Sequence, residues 1–126
     1  MPPNLVLIFL SAAVGLVFGS FLAAVVIRIP ARKPIVMDRS ACPHCGRTLR
    51  WFELVPVVSW LVQHRRCRTC GARISAFYPL MEVASALIAV AAFHWVPRPG
   101  AILACLVGWL VLAATALIVR QRSLKR

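Results

Sequence analysis

The chain has 126 residues, 61% of them hydrophobic, and its fifteen basic and three acidic side chains give a formal charge of +12. An ordinary soluble domain carries about 45–50% apolar residues, so a mean hydropathy of +0.83 excludes a water-soluble globule of the usual kind. Once the apolar runs are set aside, only about fifty residues remain, and a polar unit that small usually needs a metal ion or disulfides to fold.

The first apolar run covers residues 5–27 and contains no charge. As a helix it is about 35 Å long, enough to cross a bilayer. No Lys or Arg precedes it, and it is long for the apolar part of a signal peptide, so a retained transmembrane helix is expected. Within it Ser11, Gly15, Gly19 and Ala23 recur every four residues on one face. Such a row lets a second helix backbone come close, and a helix of the same chain is the natural partner.

Pro30 and Pro34 end the helix after Arg28. Residues 28–78 are polar and hold ten of the fifteen basic side chains. Here Cys42-Pro43-His44-Cys45-Gly46 is followed by Cys67-Arg68-Thr69-Cys70-Gly71, with twenty-one residues between Cys45 and Cys67. Each CxxC can form a tight turn that aims two thiolates at one ion, and the glycine that follows allows the positive φ such a turn needs. Four thiolates complete a tetrahedral site, most often for zinc. Iron is the lesser alternative, as is replacement of one thiolate by His44 or His64. A site with four protein thiolates leaves no position for water or substrate, so a structural role is expected. The fifth cysteine, Cys105, lies in an apolar run and is expected to be a packing residue. Between the two CxxC motifs, residues 51–62 are apolar but too short to span a membrane and are broken by Pro56. They either cover the knuckles or lie in the membrane interface, where Trp51 and Trp60 would be at home.

The second apolar run, about 79–96, opens on Pro79, which suits a first helical turn. Glu82 sits just inside it. Either the helix dipole holds it near the interface, or it pairs with a loop arginine or a catalytic centre. Val96-Pro97-Arg98-Pro99-Gly100 is a turn, and residues 101–119 form the third run, with Ala104 and Gly108 again four apart. The expected architecture is an all-α membrane protein with three transmembrane helices and a four-cysteine loop between the first and second. Its segments are a helix at 1–27, the zinc-binding loop at 28–78, a helical hairpin at 79–119 and a basic tail at 120–126. Three spans place loop and tail on the same side with fourteen of the fifteen positive charges. The positive-inside rule makes that side cytoplasmic and puts the N-terminus outside. This accounts for the charge without nucleic acid as a partner, and it brings anionic lipid headgroups near the loop.

Gly19-Ser20-Phe21-Leu22 and Arg28-Ile29-Pro30 begin a longer pattern. It continues in order through Ser40, the two CxxC-Gly motifs, Leu49, Pro56, Ser59-Trp60-Leu61, Ile74-Ser75 and Tyr78-Pro79-Leu80-Met81-Glu82. Over residues 15–90 the chain resembles the N-terminal domain of type IV prepilin leader peptidases, the A24-type aspartic peptidases. The resemblance implies a bacterial inner-membrane protein of type IV pilus or type II secretion systems. It also implies prepilins or pseudopilins as substrates, cleavage by two aspartates on later helices, and in many members methyl transfer from S-adenosylmethionine.

Within these residues that pattern is incomplete. Asp38 is the only aspartate, and an aspartyl dyad needs two carboxylates sharing a site. Where relatives carry Ile-Asp-Leu near the end of the third helix, this chain has Leu117-Ile118-Val119-Arg120. Ala23 replaces the usual Asn, and Phe77 the usual Arg, which weakens any methyl-transfer or docking role. No catalytic residue is therefore assigned. The expected function is that of a zinc-stapled membrane domain accessory to a prepilin-processing enzyme, or a truncated form of one, working with a separate chain that carries the aspartates. The alternatives are an N-methyltransferase, and a membrane-tethered zinc ribbon that binds protein or nucleic acid. A basic leader peptide would find few acidic partners here, so its recognition would rest on Glu53, Glu82, backbone groups or the partner chain.

Overall fold

The computed structural model describes residues 2–36 and 39–126, so Asp38 lies outside the described residues. Among these the protein is all-helical, without strands, and three of its helices are long and apolar enough to cross a membrane. Helix α1 spans Pro3–Arg28. A 3₁₀ turn at Trp51–Leu54 and the short helix α2 at Val58–Val62 follow within the loop. The remaining two are α3 at Phe77–Trp95 and α4 at Arg98–Leu124.

Each long helix starts earlier than its apolar run. Prolines lie in or beside all three first turns, where a missing N–H costs nothing. Helix α4 also continues past Val119 to Leu124. Arg and Gln are good helix formers, and an existing helix extends through them without a new nucleus. Residues 120–124 of the basic tail are thus helical.

The row Ser11, Gly15, Gly19 and Ala23 is buried, as the sequence leads one to expect, and its partner is α3. A Cβ on Gly15 would strike Ala86 Cα and lie 2.7 Å from Ser85 O. One on Gly19 would lie 2.5 Å from Glu82 Cα. Pairing of 15 with 86 and of 19 with 82 makes the two helices antiparallel. In lipid no hydrophobic force drives helices together, so this backbone-to-backbone approach supplies the packing. Helix α4 returns antiparallel to α3, with Ala101, Cys105 and Trp109 buried at successive turns, the last two packed with Ala89 and Ala92. Gly108 flanks that seam and accommodates Ile88. Trp109 locks the three helices: its Nε1–H donates to Ser85 O at 3.1 Å, and its ring stacks on Phe18 at 4.4 Å. Cys105 is 3% exposed and packs as a small core residue. The antiparallel order places the cysteine loop and the basic end of α4 at one end of the bundle, opposite the turn at Val96 and Pro97.

Candidate metal centre

The loop contains two hairpin knuckles of one design. In the first, Cys42 N–H donates to Arg47 O, Gly46 N–H to Cys42 O and Leu49 N–H to Ser40 O, at 2.8–2.9 Å. In the second, Cys67 N–H donates to Ala72 O, Gly71 N–H to Cys67 O and Ile74 N–H to Arg65 O, at 2.7–3.0 Å. Every bond of the first has its counterpart in the second. Isolated bridges close both, Ala41 with Thr48 and Arg66 with Arg73. Gly46 and Gly71 adopt φ of +71° and +70°, and a Cβ at either would meet nothing. Glycine is therefore needed for its backbone conformation and not for space.

The knuckles face each other, and the four sulfurs lie within 4.8 Å of one another. Cys42 Sγ is 3.7 Å from Cys70 Sγ, and Cys45 Sγ is 4.0 Å from Cys67 Sγ. The first cysteine of each knuckle is buried and the second exposed. The group could hold a metal ion. His44 and His64 are exposed and stand outside it.

The backbone prepares the thiolates. N–H groups of Cys70 and Thr69 point at Cys67 Sγ and lower its pKa to about 6. Those of Cys45 and His44 lower that of Cys42 in the same way. At Cys70 the Ala72 N–H favours the thiolate, but burial and the three neighbouring sulfurs outweigh it and push the pKa up to about 11. A cluster that cannot easily carry four negative charges alone is suited to a cation at its centre.

Two buried carboxylates fix this unit. Glu53, at the end of the first knuckle, accepts two bonds from the Arg47 guanidinium at 2.7 and 3.1 Å and one from Arg50 N–H at 2.8 Å. The Arg47 bonds, followed by the Arg50 N–H, hold its carboxyl below the usual range. Arg68 of the second knuckle lies over the Phe52 ring at 5.3 Å and clips the two halves together. Glu82, 5% exposed on α3, accepts Val57 N–H at 2.6 Å. Among the described residues no loop arginine pairs with Glu82; its bond is to the Val57 backbone. Val57 has φ +58° and ψ −49°, and Val58 N–H turns back to Pro56 O. This is a γ-turn of the rare positive-φ kind, strained for a β-branched residue. Glu82 holds it from across the loop. Since Glu53 and Glu82 are both buried and bonded, neither is available to receive a basic peptide.

A membrane-helix pair closed over a four-cysteine loop defines a class: a cysteine-knuckle domain set between helices long and apolar enough to cross a membrane. Residues 13–96, two thirds of the chain, match the family described as Bacterial Peptidase A24 N-terminal domain, and the chain belongs to that family. It is 49% identical over 74 residues to a prepilin leader peptidase/N-methyltransferase of Myxococcus xanthus, covering 59% of this chain and 22% of that protein. It is 38% identical to the enzyme of that name from Burkholderia pseudomallei, across 82% of this chain and 41% of the relative. An Escherichia coli type 4 prepilin-like proteins leader peptide-processing enzyme is 36% identical across 79% of this chain and 45% of its own length. The chain thus spans less than half the length of each of these relatives. No solved structure matches it.

Proposed function

We propose that these residues form the zinc-stapled membrane module of a prepilin-processing system, in which Cys42, Cys45, Cys67 and Cys70 hold one structural zinc. The observation that carries the metal reading is the sulfur geometry. Zinc–thiolate bonds of about 2.3 Å give a tetrahedron with edges of about 3.8 Å, and the 3.7 and 4.0 Å contacts fit that size. Bound zinc would fix the knuckles and supply no chemistry at the substrate, because protein thiolates fill every position.

In this reading the membrane is the bacterial inner membrane, the loop and the basic end of α4 are cytoplasmic, and the N-terminus is outside. The bundle supports this by gathering fourteen of the fifteen basic residues at one end. The functional division is 1–27, 28–78, 79–119 and 120–126. The module docks or positions prepilins or pseudopilins and does not itself cleave them. The peptidase aspartates must come from outside these 126 residues, which hold one Asp. The test is deletion of the gene followed by mass spectrometry of pilin-like proteins. Cleavage or methylation should fall and be restored by wild type but not by Cys67→Ser. Unchanged cleavage and methylation would overturn the reading.

A second reading draws on the name of the Myxococcus relative, a prepilin leader peptidase/N-methyltransferase of which this chain covers 22%. Here the module would take part in methyl transfer from S-adenosylmethionine. Purified protein, labelled S-adenosylmethionine and a processed pilin peptide test it directly, and absence of transfer removes it.

A further inference from the structure

Helix α2 turns an apolar face outward. Val58, Leu61 and Val62 are 55%, 58% and 59% exposed at i, i+3 and i+4, so they share one face. The opposite side of α2 is occupied: Trp60 Nε1–H reaches Ile74 O. Trp51, on the preceding 3₁₀ turn, is 79% exposed. The fold therefore leaves a continuous apolar ridge on its most highly charged segment.

The depth of that ridge follows from Glu82. Helix α3 has 19 residues and is about 28 Å long, no more than the roughly 30 Å hydrocarbon core it must cross. Its first turns cannot stand out in water. Glu82 lies about 7.5 Å along the helix from Phe77, so its carboxylate sits inside the boundary, and the 2.6 Å bond holds Val57 N–H there with it. Val57 is the residue just before α2. Leu54 and Pro56 also share a cleft with Val17, Phe21, Ala24 and Arg28 of α1. The loop is pulled down against the helices, and α2 starts at the level of the acyl-chain boundary.

The surrounding charge selects the lipid. Glu53, the one acidic side chain among the described loop residues, is buried and paired. Arg65 and Arg68 are exposed and lie over the rings of Trp60 and Phe52. We infer that α2 is an interfacial anchor: Val58, Leu61 and Val62 enter the headgroup–acyl boundary of an anionic bilayer, while the flanking arginines engage lipid phosphates. Glu82 is the tether that sets the depth.

The experiment uses the full chain in nanodiscs of phosphatidylcholine with about one third phosphatidylglycerol. Benzoylphenylalanine replaces Leu61 and, separately, Val62, so that failure of one variant to fold does not end the test. The same photoprobe at Trp60, on the opposite side of α2, is the inward control. After irradiation, lipid-sized adducts should form at 61 and 62 but not at 60, with phosphatidylglycerol over-represented about twofold against its share of the lipid. Adducts to a second copy of the chain, or no lipid adduct at either position, would overturn the proposal. Labelling in simple proportion to lipid composition would overturn its anionic part.

Discussion

The α1–α3 pair and the cysteine loop are held by opposite means. The helix pair lies where lipid competes equally for every apolar side chain, and it gains its stability from closeness: two glycines let backbone meet backbone. The loop is too small for a core, and its four sulfurs gather where side chains would otherwise pack. One chain of 126 residues thus contains two folding units that should fail separately, joined at the bond from Val57 to Glu82.

The largest effect should come from the metal. Structural zinc in small domains contributes on the order of 10–16 kcal/mol, so Cys67→Ser should unfold residues 40–75 while the helices persist. Limited proteolysis with circular dichroism checks this, and loss of helix along with the loop would break the separation. Gly19→Val is the converse lesion. Overpacking costs about 1–3 kcal/mol, so the helices should part at lower temperature in detergent while the metal content of the chain stays the same.

The joint gives a smaller effect. Glu82→Ala leaves Val57 N–H without its acceptor, at a cost of about 1–3 kcal/mol. Hydrogen exchange at Val57 and Val58 should quicken, while that of the two knuckles is unchanged. Glu82→Gln, which keeps an acceptor, should fall between. The smallest effect is in pH. Glu53 has a folded pKa below its unfolded value, so its contribution is complete above the ordinary carboxylate range and is lost as pH falls through the folded pKa. Acid should therefore loosen the loop before the helices, and Glu53→Gln should flatten that dependence in a pH series of loop proteolysis.

Much of this was legible in local patterns. The three spans follow from hydropathy, the α1 seam from a four-residue repeat, and the sulfur cluster from two CxxC-Gly motifs, because in each case the residues that act together lie close in sequence or repeat a signature. Glu82 was not legible, since its partner is a backbone N–H twenty-five residues away, and a backbone donor carries no side-chain signal. The role of Glu53 was hidden for a related reason. Among ten loop basics the charge pattern does not single out Arg47. Trp109 was equally silent, since an aromatic in a membrane run does not reveal that it binds Ser85 O and stacks on Phe18. The helical state of residues 120–124 was not legible either, because hydropathy reports where lipid ends and not where a helix ends.

The most direct test of the account is the metal content of the purified chain, measured by elemental analysis beside native mass spectrometry. One zinc per chain is expected, absent from Cys67→Ser, with the wild-type knuckles resistant to protease until a chelator removes the ion. A wild-type chain that carries no metal and yet keeps a protease-resistant loop would contradict it.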